Sequence, residues 1–202
     1  MISVDPFSSF VIASAARNLS SPTLFRTYTP PWNPSYNCTI VEAIRATTAE
    51  VPFFPSVDIG EEGLKETFIY GGPRLNNPVK AVLNEAKINF SGQYVSCVLS
   101  IGSGAQSSIG FKTMSTSDRV KVLEKVMKDG ESISDEVANG LSDGDVFYCR
   151  LNVGDGLQNI CFEDWQGLGD VKTHTEKYLQ KPEVKQKVDR LIQILNQRSG
   201  AL

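Results

Sequence analysis

The chain has 202 residues, of which 41% are hydrophobic and 21% charged, a composition typical of one ordinary soluble domain with a small appendage. Its 20 basic and 23 acidic side chains give a formal net charge of −3, which argues against nucleic acid as a partner. No apolar run approaches the roughly 18 to 20 residues of a membrane span, and no basic segment precedes an apolar one at the N-terminus. We therefore expect a cytoplasmic location.

The four cysteines are scattered without C-x-x-C spacing, which favours free thiols in a reducing compartment over the alternative, a disulfide framework. They are Cys38, Cys97, Cys149 and Cys161. The single histidine, His174, has no partner histidine and no matched cysteine spacing, so a solvated helix face is favoured over a metal site. We expect neither a metal nor another cofactor.

The first part of the chain predicts strands around one helix. Phe10–Ala15 is an uncharged run that suits a strand covered on both faces, and residues 24–28 predict a second strand after turn-forming residues at 18–22. Helical spacing predicts a helix over 39–48. Residues 52–65 then indicate a surface connection that leads into a strand at 67–70.

The second part alternates helices and strands. A helix is predicted from Pro78 and a buried strand at 94–101, so that strand, helix and strand imply a parallel pair with a right-handed crossover. Helices are predicted at 116–128 and 134–139, an edge strand at 146–153, and two helices at 168–197 that are broken near Pro182. The expected inward residues of the 116–128 helix are Val120, Leu123, Val126 and Met127.

The stretch from Phe68 to Asn77 is the most informative in the chain. An apolar strand end runs into Gly71 and Gly72, and paired asparagines precede Pro78. Adjacent glycines let another segment approach closely, so a side chain at position 70 is expected to project into a crowded cleft. Asn77 is predicted to cap the helix whose first turn holds the proline.

This stretch resembles the patatin-like acyl hydrolases, in which an apolar pair is followed by Asp-Gly-Gly or Asp-Gly-Ala, two asparagines and proline. Residues 25–28 (Phe-Arg-Thr-Tyr), 45–49 (Arg-Ala-Thr-Thr-Ala), 52–54 (Pro-Phe-Phe) and 100–104 (Ser-Ile-Gly-Ser-Gly) are similar to further blocks of that family and occur in its order. The resemblance covers residues 8–165. It implies a three-layer α/β/α fold with a mostly parallel sheet, incomplete at its N-terminus, followed by a helical segment at 166–202.

The resemblance also implies a cleft lined by Tyr70, Gly71, Gly72, Asn76 and Asn77. The family's general base is the Asp of Asp-Gly-Gly, and Tyr70 stands in its place here. The family's serine elbow and oxyanion loop do not occur before Tyr70. The resemblance therefore implies a catalytically incomplete member of a family that hydrolyses phospholipids or acylglycerols, with no catalytic residue of its own.

Two alternatives stay open: a non-catalytic lipid- or protein-binding module, and a fragment of a larger multidomain protein. The partners that the resemblance implies are a lipid or membrane surface, or a protein or upstream region that completes the sheet. Expressed alone, the chain is expected to be oligomeric, poorly soluble or dependent on such a partner, because Phe10–Ala15 would have an unpaired edge.

Three other motifs compete for a function. Residues 140–144 (Gly-Leu-Ser-Asp-Gly) satisfy the nucleophile-elbow expression, but a helix precedes them and a strand follows, so a helix-ending turn is favoured. Residues 102–104 (Gly-Ser-Gly) are read as a strand-end turn rather than a phosphate cradle. The last helix carries Lys185, Lys187, Arg190 and Arg198 opposite its apolar stripe; docking on the domain is favoured over lying on an anionic membrane.

Overall fold

A computed structural model of the chain describes residues 8–30, 36–51, 53–105, 116–127, 129–158, 160 and 164–199. These ranges contain both strands and helices, so the predicted mixed α/β class is confirmed. Chain contacts divide the protein into two compact units, Met1–Asn76 and Asn77–Leu202, and each is described by itself. This division falls elsewhere than the predicted domain boundary after residue 165, which stays a prediction.

The first unit is built on a four-stranded sheet with the order β2-β1-β4-β3. Its strands are β1 (Phe10–Ala15), β2 (Asn18–Arg26), β3 (Val57–Ile59) and β4 (Glu66–Tyr70). All three pairings are antiparallel. The predicted strand at Phe10–Ala15 is confirmed, and it lies inside the sheet with β2 on one side and β4 on the other. The expected unpaired edge at this strand is therefore wrong.

Helix α1 (Ile40–Thr48) covers this sheet, as its spacing predicts. Ala13 and Ala46 are fully buried, and such small side chains let a helix approach a strand closely. The phenyl rings of Phe25 and Phe68 lie 5.1 Å apart between centroids and nearly at right angles, the edge-to-face arrangement that aromatic pairs favour. Tyr36 packs on both rings. The core of the unit therefore combines small alanine side chains with large aromatic ones in one cluster.

Two predictions in the first unit are wrong. Residues 18–22 are not a turn but the start of β2, and Pro22 is tolerated there because β2 is an edge strand. The expected surface connection at 52–65 contains β3, in which Val57 and Ile59 are buried around the exposed Asp58. A three-residue alternation is too short to stand out in a sequence.

The second unit contains one parallel pair, β5 (Cys97–Ile101) and β6 (Phe147–Leu151). Its helices are α3 (Val79–Asn89), α4 (Thr116–Met127), α5 (Glu131–Leu141), α6 (Leu168–Leu179) and α7 (Pro182–Ser199), after a short α2 (Gly72–Leu75) that ends the first unit. Val79, Val98 and Val137 form its core. Val184 and Leu191 are buried and α7 contacts β6, so the predicted docking of the last helix is confirmed.

The expected parallel pairing of β4 with β5 is wrong. The neighbours of β4 are β1 and β3, and β5 pairs with β6. Only one of the four pairings in the described part of the chain is parallel, so the mostly parallel sheet is not seen there. For one of these pairs the reason is local: β1 and β2 are joined by two residues, a connection that permits only an antiparallel hairpin.

The inward face predicted for α4 is also wrong. Val120, Leu123 and Val126 are 52%, 60% and 53% exposed. Their spacing forms an apolar stripe on the helix, but the spacing alone does not show whether another part of the protein packs against that stripe.

Candidate functional site

The five residues predicted to line a cleft fall in two units. Tyr70, Gly71, Gly72 and Asn76 end the first unit, and Asn77 opens the second. Their geometry is therefore described in two parts.

Strand β4 ends in a crowded turn. The Tyr70 amide donates to the carbonyl of Ala49 (3.1 Å), which fixes the strand end beside the end of α1. A Cβ on Gly71 would lie 2.9 Å from the carbonyl oxygen of Ile12, and one on Gly72 would lie 2.2 Å from Cε2 of the Tyr70 ring. The close approach predicted from the two glycines is thus observed, with the half-buried Tyr70 ring against Gly72.

The carbonyl of Ile12 links this turn to the helix. Thr47 Oγ1 donates to it (2.6 Å), so a carbonyl of β1 just beyond the residues paired with β4 is satisfied by a helix side chain. Gly71 lies so close to the same oxygen that a Cβ at this position would clash with it. The turn at 70–72 is therefore held by backbone packing, and its role in a ligand cleft stays a prediction.

Asn77 is buried, with only 1% of its surface exposed, and it connects three elements of the second unit. Its Nδ2 donates to the carbonyl of Gly130 (2.9 Å), and its Oδ1 accepts from the Val79 amide (3.3 Å) and from Ser100 Oγ (3.4 Å). The side chain does satisfy an amide at the start of α3, as predicted, although the residue at the cap position is Pro78. Asn77 also anchors a polar network that the sequence did not reveal.

This network lies at the carboxyl ends of β5 and β6. Ser100 and Arg150 are directly opposite in the parallel register, and Arg150 Nη1 donates to Ser100 Oγ (2.8 Å). Glu131 Oε1 accepts from Arg150 Nε (3.0 Å), Arg150 Nη2 (2.8 Å) and Asn152 Nδ2 (2.7 Å). Charged side chains joined by several hydrogen bonds have little rotational freedom, so the network is preorganised.

The glycines at 102–104 make room for it. A Cβ on Gly102 would lie 2.4 Å from Asn152 Oδ1, and the Gly104 amide donates to that same oxygen (2.7 Å). The predicted strand-end turn is confirmed. The amide of Gly104, which a phosphate cradle would use, is already bound to Asn152.

A cavity of about 320 Å³ opens beside the network. Its lining residues are Glu131, Ser134, Asp135, Ala138, Tyr148, Arg150, Asn152, Tyr178 and Lys187. The Asn152 amide donates to the Tyr178 hydroxyl (3.1 Å), and the hydroxyls of Ser134 and Tyr148 lie 3.0 Å apart. Tyr148, Arg150 and Asn152 alternate along the predicted strand at 146–153 and so share one face, but nothing in the sequence indicated that helices α5, α6 and α7 would meet them there.

The turn at 140–144 has the arrangement predicted for a helix end. Helix α5 ends at Leu141 and β6 begins at Phe147, the reverse of the strand, turn and helix that an elbow needs. Ser142 Oγ donates to the carbonyl of Asn139 (2.7 Å), and Asp143 Oδ1 lies 3.3 Å away. The hydroxyl is thus engaged with its own helix.

The remaining candidates are structural. His174 is half-buried and its ring packs against Gly156, so this side chain is less solvated than predicted. Within the described ranges, no group of three or more histidine, cysteine or acidic side chains is placed to hold a metal ion. Cys38, Cys97 and Cys149 are free thiols, as predicted, and burial raises the pKa of Cys149; Cys161 lies outside the described residues.

Comparisons with known proteins add no assignment. No protein-family model matches the chain, and no curated protein matches it significantly. None of the helices in the described part of the chain is long and apolar enough to cross a bilayer.

Proposed function

We propose that the chain is a catalytically incomplete relative of the patatin-like lipid acyl hydrolases that acts as a non-catalytic binding module. Its fold would be the second half of a three-layer α/β/α domain over residues 1–165, with a helical segment at 166–202. The proposal rests on the resemblance around Gly71, Gly72, Asn76 and Asn77, and the close packing at both glycines is in keeping with it.

The observation that most strongly supports the proposal is the presence of a tyrosine at position 70. Its ring occupies the space beside Gly72, where the family has a short carboxylate next to the reacting serine. A phenol with a pKa near 10 is almost fully protonated at neutral pH and is a poor general base. Tyr70 therefore removes the base and fills part of the space that a substrate carbonyl would need.

Ser142 is the serine to be considered as a nucleophile, because a carboxylate, Asp143, lies beside it. Its hydroxyl donates to the carbonyl of Asn139, at the exposed end of a helix. Asp143 and the nearby Asp145 would oppose the negative charge that develops on a substrate oxygen. Asp143 Oδ1 does lie 3.3 Å from the Ser142 hydroxyl, but the two acidic side chains disfavour the oxyanion that an attack by this serine would create.

A binding role is favoured by the surface of β5. Leu99 and Ile101 are 43% and 73% exposed on one face of this strand, and within the described residues β5 pairs only with β6. An open strand edge beside apolar side chains suits a protein segment that adds a strand. A lipid or membrane surface reached from the cytoplasm is the second candidate partner, which the family resemblance implies.

Ester hydrolysis tests the proposal. We would assay the purified chain on short-chain aryl esters and on phospholipid vesicles, beside Ser142→Ala and Tyr70→Asp. All three proteins should stay at the uncatalysed rate, because restoring a carboxylate at position 70 provides no serine for it to deprotonate. Turnover by the unmodified chain that disappears in Ser142→Ala would contradict the proposal.

A further inference from the structure

The cavity beside Arg150 has hydrogen-bonding groups that the protein itself does not use. Asp135 and Lys187 both line it, and neither has a hydrogen bond or an ion pair within the described part of the chain. The Tyr178 hydroxyl accepts a hydrogen bond from the backbone amide of Asn152, so the hydroxyl proton is free to be donated. The cavity therefore offers a carboxylate acceptor, an ammonium donor and a hydroxyl donor.

Arg150 and Asn152, on one wall of the cavity, are fixed by hydrogen bonds, whereas Asp135 and Lys187 are exposed at the surface. The Arg150 side chain is only 13% exposed, and its guanidinium is bound to Glu131 and Ser100. The side-chain amide of Asn152 is held at both atoms: Nδ2 donates to Glu131, and Oδ1 accepts from the backbone amide of Gly104. A site with such supports keeps its shape before a ligand arrives, which lowers the entropy cost of binding.

The charges on the walls cancel. Glu131 and Asp135 are acidic, and Arg150 and Lys187 are basic. A ligand with a net charge would gain little from this balance. A hydroxyl group both donates and accepts, so a ligand with several hydroxyls matches acceptors and donors in one small space. Tyr148 and Tyr178 add aromatic surface for the carbon skeleton of such a ligand.

We propose that this cavity binds a small, uncharged, polyhydroxylated ring of the size of a monosaccharide or an inositol. Its volume of about 320 Å³ lies at the small end of the range for ligand sites. Asp135 accepts from one hydroxyl of the ring, and Lys187 and Tyr178 donate to others. The proposal makes no use of the family resemblance, since it is argued only from the side chains that line this cavity.

Titration of the full chain with glucose and myo-inositol tests the proposal, with inorganic phosphate and glycine as charged and zwitterionic comparisons. Ligand-detected NMR and amide shifts in the unmodified protein report binding without any substitution. We expect at least one of the two polyols to bind, with shifts at Tyr148 and Tyr178, and phosphate and glycine to bind more weakly. Binding of neither polyol, or of phosphate or glycine alone, would overturn the proposal.

Matched variants locate the site. Asp135→Ala and Lys187→Ala should each weaken polyol binding by about tenfold, the loss expected for one hydrogen bond to a charged group. Glu136→Ala and Lys185→Ala are the controls, because these residues lie on the same helices, are exposed like Asp135 and Lys187, and do not line the cavity. Glu136 also pairs with Lys80 at the surface, and the loss of such a pair has little effect on stability. Equal affinity in all four variants would contradict the assignment. Vesicles with and without a glycosylated lipid would then tell a lipid headgroup from a free polyol, and either source supports the site.

Discussion

The backbone of Gly71 passes so close to Ile12 that a side chain has no room between them. We expect Gly71→Ala to lower the free energy of unfolding by about 1 to 3 kcal/mol, because the obstructing atom is a backbone oxygen that cannot rotate away. Gly140→Ala is the control, since a Cβ there meets nothing within 4 Å on helix α5. It should be stabilising by about 0.5 to 1 kcal/mol. Urea denaturation measures both; a neutral Gly71→Ala would show that the two segments are farther apart.

The two neighbouring asparagines make a matched pair. Asn77 is buried and bound to Gly130 and Ser100, so Asn77→Ala should cost about 1 to 3 kcal/mol, the penalty for polar groups left unsatisfied in a core. Asn76 is exposed, and Asn76→Ala should change stability by no more than about 0.5 kcal/mol. Thermal or urea unfolding of both variants compares them directly. Equal losses would mean that Asn77 is not buried as described.

At these residues the sequence predicts local packing but not the contacts made with distant parts of the chain. The paired glycines indicated close packing correctly, because only a residue without a side chain tolerates it. Both asparagines were predicted to line the cleft and Asn77 to cap the helix, yet Asn77 is buried and Asn76 exposed. Their difference depends on Gly130, which is 53 residues away from Asn77, and no local pattern shows such a contact. The network of Glu131, Arg150 and Asn152 was missed for the same reason.

At the level of elements, helices were predicted better than strand partners. Helices α1, α3 and α7 follow from spacing and terminal residues, which are local signals. Strand order depends on which segments meet in space, and the short connection between β1 and β2 was missed because residues 18–22 looked like a turn. The resemblance then favoured parallel pairing where the sheet is antiparallel.

The start of α1 predicts a pH dependence. Glu42 Oε2 accepts from the amide (2.7 Å) and the hydroxyl (2.8 Å) of Thr39, and these hydrogen bonds hold the pKa of Glu42 below its ordinary value of 4.5. Because the pKa of Glu42 is lower in the folded state, its ionised carboxylate stabilises the fold at pH values above the ordinary pKa. This stabilisation is lost as the pH falls through the pKa of the folded state.

Glu42→Gln tests this dependence, since glutamine keeps the capping geometry but does not titrate. Between about pH 5 and pH 3, the melting temperature of the unmodified chain should fall more than that of Glu42→Gln. Parallel curves for the two proteins would show that the carboxylate does not contribute. A series of thermal melts at constant ionic strength provides the measurement.

For the whole molecule, the exposed apolar face of β5 predicts self-association. Leu99 and Ile101 project from a strand that has one partner in the described part of the chain. Ile101→Lys should shift the protein toward the monomer, because it places a charge on the apolar face. Ser103→Lys adds the same charge to an exposed polar position nearby and should have little effect. Size-exclusion chromatography with light scattering would contradict the expectation if the unmodified chain is a monomer.

We expect that no serine in the described part of the chain is activated as a nucleophile. A fluorophosphonate probe tests it most directly, because such probes form a covalent bond with activated serines and require no knowledge of the substrate. Intact-mass measurement of the labelled chain, with an active serine hydrolase in the same reaction as a positive control, should show no added mass on this protein. A stoichiometric adduct that maps to Ser142 and disappears in Ser142→Ala would contradict the account.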